Sequence, residues 1–216
     1  MNLIVLKVFL LVSLIAVQTP DLMVALLSFG GSKKGAKEKL FEPENVKTGS
    51  TKRIYVLWAI AYILWIFLVV LYCFKPESVS WFWKISQLDN DGVKIFAIAI
   101  TCLGYYLLMA LGAFHMYKSL KPAINKGEKT SLVTTGIFHY TRNPMYLAID
   151  IGVLATFLLM PNLLSLVMAV DMIAVLFSVS KDEEKRLLQI YGEEYEKYRK
   201  EVGMVFPKLK RSIHEK

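Results

Sequence analysis

A long apolar run, LAIDIGVLATFLLMPNLLSLVMAVDMIAVLFSV at residues 147–179, carries the strongest topological signal in this chain. Its 33 residues are too many for one crossing, since about 20 residues of helix span a hydrocarbon core. Met160-Pro161-Asn162 interrupts the run, and a proline beside an asparagine is typical of a tight turn. The sequence therefore predicts two short membrane helices joined as a helical hairpin.

Three further apolar stretches lie upstream, at Val8–Phe29, Ile54–Phe74 and Val93–Phe114. Each is near the length that crosses a bilayer as helix. Hydrophobic residues make up 55% of the 216 positions, more than a water-soluble globule usually carries. We predict an all-α membrane protein with about five transmembrane helices, the last two forming the hairpin.

The first stretch allows a second interpretation. Lys7 followed by Val8–Val17 has the form of a signal-peptide core, although no clean cleavage site follows. Thr19-Pro20-Asp21 would then be a kink or a break within a span. One span, two short pieces and a signal sequence all stay open.

Basic residues in the loops predict the orientation, because they are retained on the cytoplasmic side. The loop at about 30–53 carries seven, the segment 75–92 only two, the segment 115–146 five and the tail from Lys181 ten. This pattern predicts an outside N-terminus and a cytoplasmic C-terminus. Topology thus explains the net charge of +8 without a nucleic-acid partner.

Motifs for the usual metal, nucleotide and hydrolase sites are missing from the sequence. Cys73 and Cys102 lie inside predicted spans without metal-ligand spacing, and we expect no metal site. The hairpin carries two carboxylates, Asp150 and Asp171. An ionisable group inside a span is a functional candidate, the alternative being a position near the polar interface.

Two polar clusters, residues 125–146 and 180–207, flank the hairpin. Because a hairpin returns to the side from which it started, Tyr146 and Glu183 must emerge as neighbours although they are 37 residues apart. We therefore expect the two clusters to face one compartment together.

The first cluster has the features of an anion site. Asn143 is a candidate N-cap, with Pro144 at the first helical position. A helix N-terminus favours an anionic group, and Arg142 offers a bidentate clamp for a carboxylate. In the alternative interpretation Arg142 is a positive-inside anchor and Asn143 only a cap.

The second cluster opens with Ser180-Lys181-Asp182-Glu183, which has the form of a capping box. Leu187, Leu188 and tyrosines at 191, 195 and 198 follow at helical spacing, which predicts a cytoplasmic amphipathic C-terminal helix. The acidic residues 182–184 either favour that helix N-terminus and pair with nearby bases, or accept hydrogen bonds from a ligand.

The polar residues around the hairpin form an ordered set of three motifs: Leu132-Val133-Thr134-x-Gly136-x-Phe138-x-x-x-Arg142-Asn143-Pro144-x-Tyr146, then Glu183-Glu184-x-x-Leu187, then Tyr191-Gly192-Glu193-Glu194-Tyr195-x-x-Tyr198. This set resembles the isoprenylcysteine carboxyl methyltransferase and phospholipid methyltransferase superfamily. The resemblance implies a membrane-embedded enzyme that uses S-adenosylmethionine without a Rossmann domain. By position it implies these cofactor-binding residues: Leu132, Val133, Phe138, Asn143, Pro144, Met145, Tyr146, Glu183 and Glu184.

Three positions depart from the superfamily pattern. Asn143 replaces the central His, and Phe138 replaces a frequent Tyr. Val179 stands where the prenylcysteine enzymes carry a substrate-binding Arg. The acceptor therefore stays open among an isoprenylcysteine-like carboxylate, a phospholipid amine and a small thiol.

Methyl transfer from a sulfonium donor needs mainly orientation and exclusion of water. We assign the candidate catalytic roles to Arg142, Asn143 and Tyr146. Arg142 with the helix N-terminus would bind the methionine carboxylate, and Glu183 or Glu184 the ribose or the amino group. Tyr146, Tyr140 or Phe138 would hold the sulfonium by a cation–π contact.

The sequence divides into N-terminal transmembrane helices with a basic loop (1–124), a cofactor-binding region (125–207) and a basic tail (208–216). The expected partners are the bilayer and a lipophilic or amphiphilic acceptor. Two alternatives remain, a sterol-reductase-like membrane oxidoreductase that uses a nicotinamide cofactor and a non-enzymatic membrane scaffold. The source membrane and the oligomeric state stay open.

Overall fold

The computed structural model describes residues 2–17, 49–126 and 131–208, and within these ranges every regular element is helical. Three helical segments, Arg53–Phe74, Asp91–Lys118 and Leu163–Tyr191, are long and apolar enough to cross a membrane. The coarser prediction, a mostly helical chain with helices suited to a membrane, is thereby confirmed for the described residues. The second half of the first apolar stretch and most of the basic loop lie outside the described residues.

The described chain contains the following α-helices, in order: α1 (Leu3–Val17), α2 (Gly49–Phe74), α3 (Pro76–Ser80), α4 (Asp91–Ile100), α5 (Leu107–Lys126), α6 (Pro144–Leu159), α7 (Leu163–Tyr191) and α8 (Glu193–Glu201). A π-helical turn, Thr101–Tyr106, joins α4 to α5, and a 3-10 turn, Gly136–His139, precedes α6.

The start of α6 and the connection to α7 follow the local sequence. Asn143 occupies the N-cap position of α6 and Pro144 its first turn, where a missing backbone N–H costs nothing. Asn162 caps α7, because its Oδ1 accepts a hydrogen bond from the Ser165 N–H at 2.9 Å. Only three residues separate the two helices, which pack along each other.

The predicted helix start at Ser180 is wrong, because α7 continues through it to Tyr191. No glycine or proline interrupts this stretch, and Val179 and Ser180 are buried against the rest of the bundle. The chain breaks at Gly192 instead, where φ is +54°. The capping box predicted at 180–183 therefore does not form, and the C-terminal helix is the shorter α8.

The span Asp91–Lys118 packs closely on α6 through two glycines. A Cβ added at Gly104 would lie 2.8 Å from the Cγ2 of Ile151, and one at Gly112 would lie 2.8 Å from the Cγ of Met145. A larger residue at either position would force Ile151 or Met145 to shift, so the two glycines favour close packing of the π-helical turn and α5 against the first half of α6.

Different helix termini meet at the two ends of the bundle. At one end the Sγ of Cys73, at the end of α2, lies 3.8 Å from the carbonyl oxygen of Lys7, and Ile85 donates to the carbonyl of Pro161 at 2.9 Å. The opposite end, here called the motif end, gathers the first turns of α2 and α6 with the last turns of α7 and with α8. The sequence motifs lie at this motif end.

Candidate functional site

Arg142 holds the motif end together. Its Nε and Nη2 donate to Oε1 of Glu184 at 2.8 and 2.5 Å, and its Nη1 donates to the carbonyls of Arg199 and Val202 at 2.9 and 2.5 Å. The two charged side chains are only 8% and 15% exposed. A guanidinium has five N–H donors, so this network leaves at most one for a ligand. Arg142 therefore joins the start of α6 to α7 and to the end of α8.

A short segment after α8, residues 202–206, lies alongside the start of α6 and is here called the strap. Arg142 N–H donates to the carbonyl of Gly203 at 3.0 Å, and Asn143 N–H to that of Met204 at 3.1 Å. The carboxamide of Asn143 also donates to Met204, at 3.1 Å. The Asn143 side chain makes no capping bond to α6, contrary to prediction, and its N–H group instead donates to the strap.

The aromatic face of α8 covers the segment before α6. The hydroxyl of Tyr198 donates to the carbonyl of Phe138 at 2.5 Å, and buried Tyr195 and Val202 pack with Leu132. Burial raises the pKa of Tyr195 to about 12, with a further contribution from the Glu184 carboxylate. Burial also raises the pKa of Tyr198. Both phenols therefore stay neutral at ordinary pH. The apolar contact places Leu132 beneath α8.

The turn at Gly136 packs directly on His115 of α5. Gly136 has φ of +64°, and a Cβ built there would lie 1.9 Å from His115 Nε2. The Nδ1 of His115 lies 2.8 Å from the carbonyl oxygen of Leu111, which can only accept, so Nδ1 carries a proton. In the neutral ring, Nε2 is then an acceptor facing the turn.

Four polar side chains from three helices meet beside the Arg142–Glu184 pair. They are Tyr55, Tyr146, Glu183 and Arg186, here called the Glu183 group. The hydroxyl of Tyr146 and that of Tyr55 both lie within electrostatic range of Glu183 and Arg186. Glu183 is 3.7 Å from Nη2 of Arg186, and both side chains are about one-third exposed. The predicted proximity of Tyr146 and Glu183 is thus confirmed.

Arg186 brings an unsatisfied donor to this group. Its Nε is buried and has no hydrogen-bond partner among the described residues. A buried N–H without an acceptor is costly, and a charged one more so. An anionic ligand group at this position would satisfy it. The Glu183 group therefore offers a carboxylate, a guanidinium donor and two phenol rings to one ligand.

The remaining predicted site residues face elsewhere. Met145 packs with Tyr105 and Met109, on the side of α6 turned toward α5. Pro144 is fully buried, and Val133 and Phe138 are half-buried in the segment between Ser131 and α6. The structure thus separates the predicted set into a structural framework around Arg142 and Glu184 and a polar group around Glu183.

Two residues of the Glu183 group were missing from the predicted site. Tyr55 lies on a helix more than 90 residues away from Tyr146 in sequence, and no local motif marks it. Arg186 is one of the bases near the acidic residues 182–184, where an ion pair on the surface of the helix was the expected role. Its position one turn after Glu183 on α7 was the available signal.

Across the described ranges, no group of three or more His, Cys, Asp or Glu side chains is arranged to hold a metal ion.

The described residues form a helical bundle with three helices apolar enough to cross a membrane and a polar group at one end, and comparison with known proteins shows what the chain is similar to. Residues 93–194, which include Arg142, Tyr146 and Glu183, match the family model for phospholipid methyltransferase. The predicted resemblance to this methyltransferase superfamily is thereby confirmed.

Three curated proteins illustrate the similarity. The chain is 32% identical over 114 residues to protein-S-isoprenylcysteine O-methyltransferase of Schizosaccharomyces pombe, covering 51% of this chain and 48% of that protein. It is 33% identical over 130 residues to the Saccharomyces cerevisiae protein of the same name, covering 53% and 54%. It is 34% identical over 96 residues to methanethiol S-methyltransferase of Pseudomonas deceptionensis, covering 44% and 34%. The chain thus matches about half the length of the two yeast relatives.

Proposed function

We propose that this chain is an integral membrane methyltransferase that transfers a methyl group from S-adenosylmethionine to a lipophilic or amphiphilic acceptor. The observation that carries the proposal is the Glu183 group, an incompletely satisfied polar site at the end of a membrane bundle, within the region that matches the family model. The named relatives are methyltransferases, which supports methyl transfer over the reductase and scaffold alternatives.

The side chains of the Glu183 group fit the amino-acid portion of S-adenosylmethionine. The carboxylate of S-adenosylmethionine would accept a hydrogen bond from the buried Nε–H of Arg186, which otherwise has no partner among the described residues. Its ammonium group would pair with Glu183. The rings of Tyr55 and Tyr146 are suited to a sulfonium, a contact worth about 0.5–2 kcal/mol. When bound, the cofactor supplies an electrophilic methyl group on a positively charged sulfur.

The framework has a different role in this proposal. Arg142, which the sequence assigned to the methionine carboxylate, is occupied by Glu184 and by two carbonyls, so we assign it to positioning. Asn143 fixes the strap on the first turn of α6. Together they would fix the first turn of α6, which carries Tyr146, and keep α8 over the segment before α6.

The proposed topology has five crossings, with α6 and α7 as the final hairpin, an outside N-terminus and the motif end in the cytoplasm. The contact between Lys7, near the start of α1, and Cys73, at the end of α2, supports an antiparallel pair of helices and so places the start of α1 at the end of the bundle away from the motif end. The predicted cofactor region, 125–207, contains the whole Glu183 group except Tyr55, which extends the proposed site to α2. An acceptor dissolved in the bilayer would then reach the site between the helices.

A thermal-shift experiment on the purified full-length chain in detergent tests the cofactor. A ligand present at about 100 times its dissociation constant adds about 2.7 kcal/mol to the free energy of unfolding. We expect S-adenosylmethionine to raise the melting temperature and NADPH to leave it unchanged. Protection by NADPH alone would support the reductase, and protection by neither would support the scaffold.

A further inference from the structure

An apolar groove lies at the end of the bundle opposite the motif end, beside the turn between α6 and α7. Its volume is about 210 Å³, and its walls come from the loop after α3 and from the start of α7. The lining residues are Phe82, Trp83, Leu163, Leu164 and Val167. Sites for drug-sized ligands are usually about 300–1,000 Å³, so this groove suits a narrower apolar group.

The loop that forms one wall of the groove is held on the hairpin turn by backbone hydrogen bonds. Leu163 N–H is shared between the carbonyls of Phe82 and Trp83, each at 3.2 Å, and Ile85 N–H donates to the carbonyl of Pro161 at 2.9 Å. Among the described residues, Trp83 is the only one besides glycines with a positive φ, +45°. A bulky residue keeps this conformation only where its surroundings enforce it, and such strain is common at ligand sites.

The groove lies at the level where the apolar spans end. Arg53–Phe74 ends on this side of the bundle, and Asp91–Lys118 and Leu163–Tyr191 begin there. Trp81 and Trp83, in the loop between the first two of these spans, are 81% and 78% exposed. Tryptophan is enriched where acyl chains meet headgroups, because its ring is apolar and its N–H is polar. We therefore expect the groove to face the interface of the bilayer.

A lysine stands next to the groove at this level. Lys84 follows Trp83 in the chain and pairs with the Asp89 carboxylate, which also binds Lys94 at 2.5 Å. The Lys84 side chain is 51% exposed, against 16% for Lys94. An ammonium group has three N–H donors, so Lys84 can bind a phosphate oxygen beside the shared carboxylate. An apolar groove with an exposed ammonium group at its edge is complementary to an acyl chain that carries a phosphate.

We infer that this groove binds one phospholipid, with an acyl chain between Trp83 and α7 and the phosphate against Lys84. The position at the bilayer interface and the exposed apolar side chain of Val167 on α7 favour a lipid over a soluble partner. The phosphate would accept a charge-assisted hydrogen bond from Lys84. The site lies away from the Glu183 group, so the inference goes beyond the proposed function and does not depend on it.

Native mass spectrometry tests the inference on the full-length chain in dodecylmaltoside. Titration with dioleoylphosphatidylcholine counts the bound lipids and gives their affinity. This lipid has no amine N–H to be methylated, so its binding is measured apart from methyl transfer. Dioleoylglycerol has the same chains without the phosphate and is titrated in parallel, and oleate tests for a free fatty acid.

Two variants change the groove itself. Trp83→Gly removes the ring and keeps the backbone, because glycine readily adopts a positive φ. Its matched control is Trp81→Gly, at an exposed position of the same loop that does not line the groove. Val167→Trp fills the groove, and Val170→Trp is its control, since Val170 is also exposed on α7 but lies outside the lining.

A third variant changes the contact with the phosphate. Lys84→Gln removes the ammonium group, and Lys75→Gln is the control, at an exposed lysine of the same end of the bundle. The melting temperature of each variant shows that it is folded.

We expect the wild type to bind one phosphatidylcholine, more tightly than dioleoylglycerol. Trp83→Gly and Val167→Trp should weaken the binding of phosphatidylcholine about tenfold or more, equivalent to about 1.4 kcal/mol, while their controls match the wild type. Lys84→Gln should weaken the binding of phosphatidylcholine but not that of dioleoylglycerol, and Lys75→Gln should change neither.

Equal affinities in the groove variants and their controls would overturn the inference. Equal binding of phosphatidylcholine and dioleoylglycerol by the wild type would overturn it too, because the phosphate would then contribute nothing. Tighter binding of oleate than of phosphatidylcholine would assign the groove to a free fatty acid instead.

Discussion

Replacing Arg142 by methionine tests whether the Arg142–Glu184 pair holds the motif end together. The change keeps an unbranched but shorter apolar stem, and it removes the charge and four hydrogen bonds. Removing one partner of a buried ion pair costs about 3–5 kcal/mol, because the other charge remains buried. Since the two side chains keep 8% and 15% exposure, we expect the lower end, about 3 kcal/mol.

Two further variants isolate the pair. Glu184→Leu combined with Arg142→Met removes both charges, and we expect it to be less destabilised than the sum of the singles, with a coupling of about 1–3 kcal/mol. Glu196→Ala is the matched control, because it breaks an exposed pair with Arg199 and should cost less than about 1 kcal/mol.

Denaturant unfolding in detergent, followed by circular dichroism, gives the free energies, and limited proteolysis reports release of the strap. Arg142→Met should increase cleavage within residues 199–208, whereas Glu196→Ala should not. If Arg142→Met proves no more destabilising than the control and the coupling is near zero, the pair does not position the strap, and the assignment of Arg142 to the framework is refuted.

Three other predictions concern the site and its cover. Glu183→Gln should remove most of the affinity for S-adenosylmethionine in titration calorimetry without lowering the melting temperature, whereas the exposed control Glu194→Gln should bind normally. Gly136→Ala should destabilise the protein by about 1–3 kcal/mol, because alanine resists a positive φ and its methyl group meets His115. A second change, His115→Ala, should recover only the part of this loss that is due to the steric clash. A Gly136→Ala protein of unchanged stability would contradict the packing of Gly136 on His115. The Tyr195 pKa is raised from 10.0 to about 12, so its stabilising contribution is complete below pH 10 and is lost as pH rises toward 12. Tyr195→Phe should therefore lose less stability over this range than the wild type in thermal melts, and identical pH profiles would argue against its burial.

The local sequence was sufficient for the features that depend on adjacent residues. Proline and asparagine at 161–162 predicted the break between α6 and α7, and Pro144 predicted where α6 begins. The antiparallel return of a hairpin was enough to predict that Tyr146 and Glu183 lie together. Each of these follows from backbone stereochemistry or from topology.

The features that depend on distant residues were not predictable in the same way. The start of a new helix at Ser180 was wrong because a capping-box pattern inside a helix has no effect when the backbone is already hydrogen-bonded. The partners of Arg142 lie about 40 and 60 residues away, and two of them are backbone carbonyls that no side-chain pattern reveals. Tyr55 joins the site only through the packing of α2 against α7.

Methyl transfer by the purified full-length chain tests the central claim most directly. The chain in phosphatidylcholine vesicles would be supplied with methyl-labelled S-adenosylmethionine and with lipophilic amines, thiols and carboxylates in separate reactions. We predict that label enters at least one of these acceptors and that Glu183→Gln abolishes the transfer. Label absent from every acceptor, in a protein that is folded and inserted, would contradict the account.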